Sequence, residues 1–225
     1  MATIDLLESS LRRDSGHFAL ALALLDRAAE VFLTLNERYR LTQILLNRAN
    51  IYAVRGDRPQ AITVLRSALD WALDLRFTLN VRHNLADVLV KAGRASEAAQ
   101  IFTMTRDLYD RCDDTLTNSR RLWLEGLIAR ELGDDLRHAE DLLDQATKSF
   151  MAHGYAGDAA LAQLDLIATR RRLKDSRRSR SKRLPQPLHP RIAPAQQHAH
   201  PAAAETAIGE SSGKSGGARG LRHHL

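Results

Sequence analysis

Eleven side chains in the first 130 residues stand at spacings that suit recognition chemistry. Gln43, Asn47 and Asn50 fall on successive turns of one helical face. So do Asn80, His83, Asn84 and Asp87, and then Arg120, Trp123, Leu127 and Arg130. A side-chain amide donates and accepts hydrogen bonds at once, so a row of amides can clamp a peptide backbone. Trp and Arg are favoured anchors at interfaces. The chemistry implied is reversible binding. A second reading stays open for the asparagines, because an amide can equally bridge two adjacent helices. Trp123 suits a core position as well as a binding one, and His83 also reads as a satisfied surface histidine.

Nothing comparable points to bond-breaking. The chain has no Gly-rich phosphate loop, no paired-cysteine metal pattern and no His-Glu-x-x-His. Asp113-Asp114 and Asp134-Asp135 fall at links between helical stretches, where Asp favours turns and helix starts. Cys112 has no histidine near it in sequence to activate its thiol. His198, His200, His223 and His224 have the spacing of a low-complexity tract. The expectation is a non-enzymatic protein with no catalytic residue, no metal site and no cofactor.

The elements that place the amide rows are legible from a repeat. Gly16, Gly56 and Gly93 each precede an alanine by five residues (Ala21, Ala61, Ala98), and Gly133 precedes Ala139 by six. A large apolar residue follows each alanine by four: Leu25, Leu65, Phe102, Leu143. A small one follows by seven: Ala28, Ala68, Thr105, Ala146. Apolar residues at helical spacing lie on both sides of each glycine. A period of 37 to 40 residues with this small/large/small pattern predicts stacked helical hairpins, an all-α solenoid. The small residues belong at the helix crossings, where bulk on both partners would hold the backbones apart.

Composition divides the chain. Residues 170–225 carry thirteen Lys and Arg against three Asp and Glu, no aromatic residue, and five of the six prolines. Such a segment buries too little apolar area to offset its chain entropy. The expected organisation is a solenoid over 1–173 and a disordered basic tail over 174–225. A last unpaired helix is expected near Asp158–Arg172. The run Arg170, Arg171, Arg172, Lys174, Arg177, Arg178, Arg180, Lys182 and Arg183 has the composition of a sequence-independent phosphate contact, which supplies the alternative of a nucleic-acid-associated protein. One cysteine, no basic leader followed by an apolar stretch and no long apolar run suggest a cytoplasmic protein without a membrane contact.

Leu46-Asn47-Arg48-Ala49-Asn50-Ile51-Tyr52, then Gly56-Asp57, Ala61, Leu65 and Ala68, resembles the tetratricopeptide repeat (TPR). Asn84-Leu85-Ala86 with Gly93, Ala98 and Phe102 matches again. Trp123, Gly126, Gly133, Ala139 and Ala146 match with one residue inserted. The period is longer than the usual 34, and the closing proline is missing; long repeats of this kind are similar to those in bacterial regulators. The resemblance implies about four hairpins plus a final helix. It places Gln43 to Arg130 on a concave groove that binds a peptide or partner protein, in bacterial signalling or transcription control. Asn47, Asn50 and Asn84 occupy positions of the family pattern, which keeps their structural reading open. Both ends lack a polar cap, so self-association through them is a further expectation.

Overall fold

A left-handed glycine follows the first helix of each hairpin, and in the second and fourth hairpins an aspartate caps the helix that comes next. The computed structural model describes residues 1–72, 74–112 and 114–183, with the side chains of 180–183 excepted. Helices α1 (Ala2–Asp14) and α2 (Phe18–Thr34) form the first hairpin, α3 (Arg38–Arg55) and α4 (Arg58–Trp71) the second. The third joins α5 (Leu75–Lys91) to α6 (Ala95–Thr103) and α7 (Arg106–Arg111). The fourth joins α8 (Thr115–Leu132) to α9 (Leu136–Ala152), and α10 (Ala156–Arg183) packs on α9. No strand occurs among the described residues, and no described helix is long and apolar enough to cross a membrane.

The end of α3 shows how a link works. Gly56 sits at φ 89°, a left-handed conformation that costs a Cβ-bearing residue about 1–2 kcal/mol. Its amide and that of Asp57 then close on the carbonyls of Ala53 and Tyr52. Asp57 caps α4 by accepting from the Gln60 amide, with Pro59 in the first turn where no N–H is needed. Asp74, Asp114 and Asp135 cap α5, α8 and α9 in the same way. Asp113 lies outside the described residues. The longer period resides in the helices, which reach 17 and 18 residues in α2 and α3.

The small/large/small residues all meet at the crossings. Ala21, Leu25, Ala28, Ala61, Leu65, Ala68, Ala98, Phe102, Thr105, Ala139, Leu143 and Ala146 are each 6% exposed or less. Across from them, seven residues before each turn glycine, stand Ser9, Ala49, Ala86 and Gly126, all buried. Ser9 holds its hydroxyl against the Leu6 carbonyl at 2.7 Å, which lets it act as a small residue without an unpaired polar group.

Two features depart from the expectation. The second helix of the third hairpin breaks at Met104–Thr105. Thr105 Oγ1 bonds back to the Ile101 carbonyl at 2.6 Å, a bond that bends helices. Arg82 takes the freed Met104 carbonyl at 3.0 Å. The last helix runs to Arg183, past the 173/174 boundary drawn from composition. It is fixed by Ala159, Ala162 and Leu166, and Arg and Lys are good helix formers. Residues 184–225, the rest of the expected tail, lie outside the described residues.

The tightest crossing gives a stability test. A Cβ at Gly126 would stand 2.8 Å from Leu143 Cγ and 3.3 Å from Leu142 Cβ. Leu143 is fully buried and has little room to shift. Gly126→Ala gains up to about 1 kcal/mol of helix propensity but overpacks a crossing at about 1–3 kcal/mol. Thermal melting should show a net loss, recovered in part by Leu143→Val. A melting temperature equal to or above the parent's would mean that the hairpin opens at no cost.

Candidate functional site

The first helices of successive hairpins, α3, α5 and α8, lie side by side and present one face to the inner side of the solenoid. Two adjoining hollows lie along it. The first, about 520 Å³, takes Gln43, Asn47 and Asn50 from α3, Asn80, His83 and Asn84 from α5, and Arg120 from α8. The second, about 320 Å³, takes Asn50, His83, Asn84 and Asp87 together with Arg120, Trp123 and Leu127. Asn50, His83, Asn84 and Arg120 line both, so the hollows form one strip. Ten of the eleven side chains singled out from sequence are therefore gathered here. Arg130 lines neither hollow.

What each side chain does sorts them further. Asn47, Asn50 and Asn84 are half-buried and Asn80 is exposed. None of the four makes a side-chain hydrogen bond among the described residues, so none bridges two helices there. Arg120 is half-buried and forms no ion pair among the described residues. Gln43 accepts from Arg40, and Asp87 pairs with Lys91 at 2.7 Å. Leu127 belongs to the core. Trp123 and Arg130 both turn to α10, where Asp165 accepts the indole N–H at 3.0 Å and the guanidinium at 2.8 Å. Trp123 also packs edge-on against Phe150. These two residues hold α10 to α8.

His83 is the one titratable group at the centre of the strip. Burial lowers its pKa to about 4; Asp87 opposes the shift, and the positive charges of Arg120 and Lys91 add to it. The imidazole is thus neutral near pH 7. Its Nδ1 lies 2.7 Å from the Tyr109 hydroxyl. Burial raises the Tyr109 pKa, so the phenol keeps its proton. That buried O–H has no other acceptor among the described residues and donates to Nδ1. The proton of His83 is then on Nε2, available as a donor in the strip.

Sequence reasoning missed part of the lining. Thr3, Leu7 and Ser10 of α1 close one side of the first hollow, and Asp158 and Leu161 of α10 border the second. Tyr39 and Phe77, edge to face at 4.6 Å, form an aromatic wall at the mouth. Tyr109 reaches the strip from α7, an element that the repeat did not show. The basic run divides as well. Arg170 pairs with Glu140 and Asp144, and Arg172 with Glu131. Arg171, Lys174, Arg177 and Arg178 are exposed. For Arg180, Lys182 and Arg183 only the backbone helix is described.

Residues 40–111, about a third of the chain, match the tetratricopeptide-repeat family. It is similar to a solved Rap protein, crystallised complexed with Competence and Sporulation Factor. The TM-score is 0.67 at 15% identity over 80% of this chain and 51% of that one. It is also similar to BtubC (BKLC) from P. vanneervenii, with a TM-score of 0.53 at 17% identity over 91% of this chain and 85% of that one. The chain spans about half the length of the Rap protein. No curated protein matches it. The tetratricopeptide repeats over residues 40–111 support a protein–protein interaction module.

The neutral imidazole sets a pH dependence of stability. A histidine whose folded pKa lies below its unfolded value near 6.5 must lose its folded environment's advantage as it charges. Its stabilisation is complete above about pH 6.5 and is lost as pH falls toward 4. Denaturant unfolding at pH 7 and pH 5 should show a weaker fold at pH 5. His83→Gln, which keeps an acceptor for Tyr109, should flatten that difference. A His83 NMR titration with a midpoint near 6.5 would refute the assignment.

Proposed function

We propose that the concave strip binds an extended peptide or a partner's chain segment, and that this binding serves signalling or transcription control. One observation carries the reading. Four side-chain amides, three of them half-buried, a neutral His83 donor and the Arg120 guanidinium face one hollow without a partner among the described residues. Leaving half-buried polar groups unpaired is costly unless water or a ligand completes them. Amides at successive turns match the alternating N–H and C=O groups of an extended backbone. Arg120, with no acidic partner among the described residues, suits a carboxylate on the occupant. Each repeat adds a modest contact, and Arg120 is the anchor in place of Trp123 and Arg130, which hold α10. The similar Rap protein was crystallised with a bound factor, which agrees with a solenoid of this fold taking a ligand.

Random-peptide selection on the full chain, followed by titration of the selected peptides, tests the reading. Asn84→Ala with Arg120→Ala should weaken the selected peptides at least tenfold, about 1.4 kcal/mol, and leave the melting temperature nearly unchanged. Lost binding together with lost stability would make these residues structural. Undiminished affinity, or a selection that yields no binder, would remove the strip from consideration.

A further inference from the structure

In each hairpin the second helix docks on a fixed face of the first. On α8 that face is Ser119, Leu122 and Gly126. Helix α9 covers it, with Ser149 Oγ 2.6 Å from Ser119 Oγ and Leu143 against Gly126. Helix α10 repeats the spacing with Leu161, Leu164 and Ala168. This face lies opposite the stripe Ala159, Ala162, Leu166 and Thr169 that α10 buries. No described helix covers it. Leu161, Leu164 and Ile167 are 53%, 64% and 38% exposed. A cavity of about 500 Å³ lies where α9 passes into α10, lined by Met151, Ala156 and Ala160 among others.

Toward its C-terminus the same face becomes basic. Arg171, Lys174 and Arg178 continue the row of Leu164 and Ile167 at helical spacing. All three are exposed and form no ion pair among the described residues, whereas Arg170 and Arg172 on either flank are paired with α8 and α9 acids. Asp175 is the only carboxylate between Arg170 and Arg183.

We infer that the open face of α10 docks an acidic amphipathic helix of a partner protein, antiparallel to α10 as α9 is to α8. The partner's apolar stripe covers Leu164, Ile167 and Ala168. Its N-terminal half carries carboxylates against Arg171, Lys174 and Arg178, an arrangement that also suits the positive end of the incoming helix dipole. The continuity of apolar into basic surface selects this occupant. A nucleic acid would engage the cations and leave the leucines in water. Unpaired cations at a rim act mainly on association rate and partner choice, and the apolar half supplies the holding contact. Leu161 borders the concave strip, whereas Leu164, Ile167, Ala168 and the three cations line neither of its hollows.

A labelled Leu/Ala helical peptide of about 18 residues, five turns, with Glu in its first half is the probe, read by fluorescence anisotropy with the full chain. It should bind, and its Gln counterpart should bind at least tenfold more weakly. Leu164→Ser should weaken the Glu probe at least tenfold. Arg171→Glu with Lys174→Glu should do the same, and a Lys-bearing probe should regain the loss. All three residues are exposed, so melting should not change, and Asn84→Ala with Arg120→Ala should leave the probe's affinity intact. Equal binding by the Leu164→Ser variant, or no binding of the probe by the parent, overturns the inference. A single-stranded oligonucleotide bound more tightly than the probe, and equally by parent and Leu164→Ser, would overturn it in favour of a nucleic-acid contact.

Discussion

Close approach of paired helices is the constraint on which the rest of this molecule depends. At each crossing one helix supplies Ala, Ser or Gly and the other brings Leu or Phe flanked by Ala or Thr. Had both sides carried bulk, the interaxial distance would rise toward the upper end of the roughly 8–10 Å range, and packing between neighbouring hairpins would lose register. The small residues also fix rotation. With Ala49, Ala86 and Gly126 turned toward their hairpin partners, helix geometry places Asn50, His83, Asn84 and Arg120 about 60° to 160° around the axis, on the inner side. The strip is thus a consequence of the core pattern, and its side chains are free to vary as long as the crossings stay small.

That freedom explains why polar groups stand half-buried there. A helix face packed on both flanks by neighbouring helices is walled in without being covered. Backbone N–H and C=O groups are already paired within the helix, so the side chains alone decide what the hollow accepts. Amides with neither partner nor full hydration are poor for stability and good for recognition. Trp123 and Arg130 show the other solution. Asp165 accepts from both at once, and a carboxylate with two strong donors is comfortable where an isolated one would not be. The same kinds of side chain serve cohesion or recognition according to whether a carboxylate of the next helix lies within reach.

Much of this was legible in the sequence, because it depends on local spacing. The glycine period, the Asp caps, the small/large/small triplets and the face shared by Gln43 to Arg120 all follow from residues within one or two turns of each other. What was not legible depends on contacts far apart in the chain. Asp165 lies 42 residues from Trp123, and no periodicity links the two. The Tyr109–His83 bond needs the break at Thr105 to aim α7 inward, and a threonine back-bond has no sequence signature. The extension of α10 to Arg183 was hidden by composition. A basic stretch reads as tail when judged by its apolar content, yet its residues favour helix once a packed segment has nucleated one.

The pairing of charges along α10 is the last step of this logic. Arg170 and Arg172 bend back to acids on α9 and α8, which fixes the azimuth of the helix as well as its position. Exposed pairs of this kind contribute little stability each, but together with Asp165 they leave α10 few ways to rotate. Once the azimuth is fixed, the remaining cations cannot be turned inward, and the leucines opposite the buried stripe cannot be turned away from solvent. An unpaired basic and apolar face therefore follows from the ion pairs on the other side of the same helix. In α3, α5 and α8 the corresponding face is covered by the second helix of its own hairpin. On α10 no described helix covers that face, and the same architecture holds it in register, with little rotational freedom left to lose.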